Sequence, residues 1–148
     1  MTRRGTVIAW ALVAAWAVVI FLMSANTGDD LTSGEGLVAH VRAVLMAVQA
    51  AWLGTEVDIV SSIAHFCEYL VFGALLQHAL GRSLSPRAAL LAAIVAASVY
   101  GVTDEVHQLF VPGRACDPVD WLVDTAGAAL GAVIAWFVLR RRQAGPQG

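Results

Sequence analysis

Asp104, Glu105, Asp117, Asp120 and Asp124 all fall in one segment, DEVHQLFVPGRACDPVDWLVD, set between two long apolar runs. Adjacent acids such as Asp104 and Glu105 could act as a general base, or hold Mg²⁺ or Ca²⁺ through oxygen together with Asp120 and Asp124. His65 upstream could carry a proton. Arg114 offers a planar fork for a phosphate or carboxylate, and Gln108, Glu68, Tyr69, Asp117 and Trp121 could contact a bound substrate. The spacing of Asp104, Glu105 and His107 is not that of a zinc HExxH motif, and no GxSxG nucleophile motif occurs. The alternative to a working site is a polar knot, in which Arg114 and His65 neutralise the acids and fix helix register.

The elements that must position these groups are membrane helices. The chain has 148 residues, is 59% hydrophobic and has a mean hydropathy of +0.72, too apolar for a soluble fold of this size. One domain is expected, all-α, with spans over about 7–23, 59–81, 88–111 and 119–139. The run from Val7 to Met23 exceeds the usual apolar core of a cleaved signal peptide, and Met23-Ser24-Ala25 is a poor cleavage site, so a retained first span is expected. Between the first two spans, apolar residues from Leu37 to Trp52 recur at helical spacing, and Thr32 with Glu35 resembles a capping box. This predicts an amphipathic helix over about 35–52, stopping near Gly54, flat on the membrane surface or over the bundle mouth.

All nine basic residues are arginines, and a net charge of −2 gives no reason to expect a nucleic-acid partner. With both termini cytoplasmic, Arg3, Arg4, Arg82, Arg87 and Arg140 to Arg142 lie inside, against Arg42 and Arg114 outside. The polar segment then faces the extracytoplasmic side. His65, Glu105 and Asp124 lie five or six residues inside the outer ends of three different spans, about 8–9 Å deep. Their faces agree: His65, Glu68, Tyr69 and Phe72 form one stripe, Gly101, Asp104, Glu105 and Gln108 another, and Asp117, Asp120, Asp124, Gly127 and Gly131 a third. Gly127 and Gly131 would let a neighbouring helix approach closely. A lone acid in mid-membrane costs about 2.5–3.5 kcal/mol, so the cluster requires pairing, protonation, hydration or a bound cation. So many acids on one side favour a working pocket over a knot.

At HFCEYLVFG (His65 to Gly73) and DEVHQLFVPGRACDPVDWLVDTAGAALG (Asp104 to Gly131) the chain resembles the VanZ-like family of small bacterial membrane proteins. The resemblance implies a four-span bundle in the bacterial plasma membrane and an association with teicoplanin resistance, without a settled reaction. Two departures make the cluster more acidic: Ser61 and Ser62 stand where the family often has Asp and Lys, and Asp124 where it often has Asn.

Two functions follow. In one, the chain modifies a lipid-linked cell-wall precursor or similar envelope component from the outer face, with Glu105 or Asp104 as base or metal ligand and His65 as proton carrier. In the other, it binds a membrane lipid or a glycopeptide without chemistry. A proton or ion path is disfavoured, because beyond Gln77 and His78 the inner halves of the spans offer mainly Ala, Val, Leu and Gly. Cys67 and Cys116 lack metal-finger spacing and would sit on the same side, where a disulfide depends on their Cα separation.

Overall fold

The computed structural model describes residues 2–25, 37–53, 59–112, 114 and 116–143. The helices are α1 (Arg3–Ser24), α2 (Leu37–Leu53), α3 (Ile59–Leu80), α4 (Pro86–Gln108) and α5 (Pro118–Gln143), with no strand among the described residues. Four of them, α1, α3, α4 and α5, are long and apolar enough to cross a membrane, and they form an all-α four-helix bundle. The hydrophobicity runs opposite to that of a soluble bundle. Large apolar side chains such as Ile8, Leu91, Val95 and Leu122 are more than half exposed, while Gln77, Asp104, Glu105, Gln108 and Asp124 are buried. A lipid surround makes that arrangement favourable, since apolar side chains meet acyl chains and polar ones meet each other.

The centre of the bundle is the α3–α5 interface, and it is built on absent side chains. A Cβ on Gly131 would lie 2.7 Å from the Leu70 carbonyl carbon, and one on Gly73 would lie 2.7 Å from Ala128 Cα. Gly127 in turn rests against the Phe66 carbonyl. The two backbones are therefore in direct van der Waals contact. On α4, Ala89, Ala93 and Ala97 recur every four residues and are fully buried, a stripe of small side chains that admits the same close approach.

The first helix docks through side chains that reach backbone carbonyls. Trp16 Nε1 donates to the Glu68 carbonyl at 2.9 Å, and Tyr100 Oη donates to the Ala17 carbonyl at 2.7 Å. At the opposite end Arg82 Nε donates to Thr6 Oγ1 at 3.2 Å, so the start of α1 and the α3–α4 turn share one face of the bundle. That face carries the arginines at both points, in keeping with the expected topology.

Several boundaries differ from the sequence expectation: α1 begins at Arg3 and α5 runs on to Gln143, each about a turn beyond the expected span. The span expected to run to residue 111 ends at Gln108, and Leu109 to Pro112 leave the helix through turns in which the Phe110 and Val111 amides bond to His107 and Gln108 carbonyls. Pro112 restricts the residue before it to extended backbone, and the chain unwinds ahead of it. The amphipathic helix is present as Leu37–Leu53, while its Thr32–Glu35 cap, the Gly54 stop, Gly113 and the acidic residues Asp29, Asp30, Glu35, Glu56 and Asp58 lie outside the described residues. α2 exposes Val44, Leu45, Val48 and Trp52 and buries Gln49, whose Oε1 accepts the Val60 amide at the start of α3 at 3.1 Å. Cys67 and Cys116 are both free thiols, so the disulfide considered from the sequence is not formed.

Candidate functional site

The four side chains His65, Asp104, Glu105 and Asp124 meet at the bundle end that the arginine distribution assigns to the outside. Each offers one ligand-type atom, and these atoms lie within 4.8 Å of one another. α3 supplies His65 two turns from its start, α5 supplies Asp124 at similar depth, and α4 supplies the two acids from its last turn. Asp104 and Glu105 are adjacent yet both 3% exposed, because the α4 terminus lies in the angle between α3 and α5 and both side-chain directions there point inward.

Asp124 is wholly buried, and its Oδ1 lies 3.2 Å from His65 Nδ1. Glu105 Oε2 accepts the Asp117 amide at 2.7 Å. Three further oxygens, Asp104 Oδ2, Glu105 Oε1 and Asp124 Oδ2, are buried without a hydrogen-bond partner among the described residues, as are Tyr69 Oη and Gln108 Nε2. In native proteins buried polar atoms are almost always satisfied, so this concentration of orphans is the site's main chemical feature. Gly101 supports it: a Cβ there would come within 3.3 Å of the Trp121 ring and 3.6 Å of Asp124 Oδ2.

The other residues singled out from the sequence are spread around this centre. Asp120 is half-buried one turn outward on α5, accepts Ser62 Oγ at 3.4 Å and stands outside the group of four, whereas His65 stands within it. Asp117 uses Oδ1 to accept the Val119 amide at 2.8 Å, an N-terminal cap for α5 ahead of Pro118. Trp121 donates Nε1 to the Ser98 carbonyl at 3.1 Å and ties α5 to α4. Tyr69 is fully buried among Phe72 and Tyr100 rather than at a mouth. Glu68 and Arg114 are half-buried, and the Arg114 charge acts on Glu68. His107 packs against Phe21 with ring centroids 4.4 Å apart.

Sequence reasoning missed Ser98, Thr125 and Tyr100, which bond α4 to its neighbours. Single hydroxyls in an apolar run carry little signal on their own. Grooves between helices open at the opposite end, one of about 330 Å³ lined by Ser85, Pro86, Arg87, Trp136 and Arg140.

The order and spacing of these residues agree with one known pattern over nearly the whole chain: the family model described as VanZ/LLP1 matches residues 9–140. The chain belongs to the VanZ/LLP1 family. No curated protein and no solved structure matches it. As a VanZ/LLP1 protein with four membrane-competent helices it is a multi-pass membrane protein, and its buried acidic centre lies on the parts of α3, α4 and α5 that the matched region covers.

Proposed function

We propose that the cluster of His65, Asp104, Glu105 and Asp124 is a working site, reached from the extracytoplasmic face of the bacterial plasma membrane, that acts on or modifies the polar head of a lipid-linked cell-envelope component. Through that role the chain would contribute to tolerance of glycopeptides such as teicoplanin. The observation that supports this reading is the convergence of buried carboxylate oxygens without partners from two helices beside a histidine from a third. A knot that served only to fix register would gain stability by pairing those oxygens. In this reading Glu105 or Asp104 is the base, His65 with Asp124 the proton carrier, and Arg114, Gln108, Glu68 and Trp121 the groups around the head. Tyr69 closes the floor.

The site is closed in this conformation, with its four residues at most 7% exposed. Entry would come past Asp120 and Arg114, which are half-buried at the outer ends of the helices. The test is native mass spectrometry of gently extracted parent and Glu105→Gln protein, beside teicoplanin susceptibility of cells carrying each. A polyprenyl-phosphate-type lipid held by both forms, with protection lost in the variant, supports chemistry at Glu105. Loss of the lipid itself in the variant supports binding without chemistry. Ordinary phospholipid on both forms, with identical susceptibility, overturns the reading.

A further inference from the structure

We infer that His65, Asp104, Glu105 and Asp124 form a binding site for a single divalent transition-metal ion of the Mn²⁺ or Zn²⁺ class. The inference rests on reading this cluster as a working site, and it does not depend on which lipid is acted upon.

Geometry comes first. Ligand oxygens and nitrogens around one such ion lie roughly 2.0–2.2 Å from it, so two of them are at most about 4.4 Å apart. The four atoms here already lie within 4.8 Å of one another, and small side-chain rotations close the difference. Asp104 Oδ2, Glu105 Oε1 and Asp124 Oδ2 have no hydrogen-bond partner among the described residues and belong to residues 97% or more buried, so three unpaired acceptors sit in one buried cluster.

Electrostatics points the same way. Asp104 and Glu105 occupy the last turn of α4, where the carbonyl end of the helix already carries partial negative charge. Carboxylates are disfavoured at that position and a cation is favoured. His65 is the one nearby group within the cluster able to become cationic, and one imidazolium would leave most of the three acids uncompensated. A divalent ion neutralises more, and from a shared centre.

The donor set selects the ion. Oxygen ligands alone would suit Mg²⁺ or Ca²⁺, the expectation drawn from Asp104, Glu105, Asp120 and Asp124. The structure replaces Asp120 with His65, and an imidazole nitrogen among carboxylates shifts preference toward Mn²⁺ and Zn²⁺. His65 Nδ1 lies 3.2 Å from Asp124 Oδ1, so two of the four ligand residues already stand side by side.

The test uses the full chain, extracted in mild detergent, stripped with EDTA and equilibrated with MnCl₂, ZnCl₂, MgCl₂ or CaCl₂ separately. Bound metal is read by elemental mass spectrometry after desalting, and nitrogen coupling to Mn²⁺ by pulsed electron paramagnetic resonance. About one Mn²⁺ or Zn²⁺ per chain is expected. Glu105→Gln and Asp124→Asn should each weaken it by about 10-fold or more, and His65→Gln should abolish the nitrogen coupling. Asp120→Asn, one turn away and outside the group of four, should weaken affinity less than Glu105→Gln or Asp124→Asn. Helical circular dichroism and a single chromatographic peak establish that each variant is folded, and Glu105→Gln serves where Asp124→Asn is not. Substoichiometric Mn²⁺ and Zn²⁺ on the parent, tighter Mg²⁺ or Ca²⁺ than Mn²⁺, or equal loss in Asp120→Asn would each overturn the site. Metal bound without an envelope lipid leaves this inference standing and removes the proposed substrate; lipid bound without metal does the reverse.

Discussion

His65 Nδ1 and Asp124 Oδ1 lie 3.2 Å apart across the α3–α5 interface, with the aspartate side chain fully buried. The pair joins the two helices whose backbones touch at Gly73, Gly127 and Gly131. Replacing Asp124 by Asn keeps an acceptor for the imidazole and removes a buried charge. In metal-free protein the thermal midpoint of Asp124→Asn should equal or exceed that of the parent. Asp124→Leu strands His65 and should cost about 1–3 kcal/mol, read as a lower midpoint in the same detergent.

The α3–α5 contact tolerates no added carbon. Gly131→Ala drives a Cβ into the Leu70 carbonyl group, and Gly73→Ala does the same at Ala128. Backbone cannot rotate away as a side-chain tip can, so each substitution should destabilise by about 1–3 kcal/mol or more. The neighbouring Ala126 is exposed, and Ala126→Val should be near neutral. Folded yield and thermal midpoint of the variants distinguish the two cases.

Docking of α1 depends on hydrogen bonds that lipid cannot replace. Tyr100→Phe deletes the bond to the Ala17 carbonyl and keeps the ring against Phe72. Interhelical bonds of this kind contribute about 0.6 kcal/mol on average and up to about 1.7. A loss in that range, with protease sensitivity rising near the α1 end and not at α5, is the expected result.

Cys116 reports on both topology and the cluster. It is an exposed free thiol in the α4–α5 loop, whereas Cys67 lies on the lipid-facing side of α3. A membrane-impermeant maleimide applied to intact cells should label the parent and fail to label Cys116→Ser. Desolvation, then the negative charge and hydrogen bond of Glu105 and the charge of Asp117, hold the Cys116 thiol above its ordinary value. A raised value means less thiolate at any pH below it, hence slower alkylation. The rate should climb with pH later than for an ordinary thiol, and Glu105→Gln should move the curve toward lower pH.

Much of this arrangement was legible in the residues, for reasons that can be named. Span existence followed from apolar runs long enough for a bilayer, and the stripes through His65, Asp104 and Asp124 followed from helical periodicity. The Gly127 and Gly131 spacing pointed to close approach, and Phe66 and Leu70 are what they approach. Asp120 could not be separated from Asp124 by periodicity, because residues four apart share a face. Asp120 instead turns to Ser62 Oγ at 3.4 Å and stands outside the group of four, a contact that periodicity does not encode. The early end of α4 was hidden because Leu109, Phe110 and Val111 are as apolar as the helix before them. The tie from Gln49 to Val60 joins two elements whose relative placement no local pattern encodes.

The early end of α4 also determines how much of the membrane's electric field the cluster feels. Glu105 lies three residues from Gln108, about 4.5 Å inside the helix end, or roughly 15% of a 30 Å hydrocarbon layer. A potential of 100 mV acts on a full crossing with about 2.3 kcal/mol per elementary charge, so a divalent ion at this depth experiences about 0.7 kcal/mol. Occupancy of the centre should therefore change by no more than about threefold when the membrane is de-energised with an uncoupler. In the proposed outward-facing reading, a site this shallow stays matched to conditions outside the membrane, whatever the respiratory state of the cell.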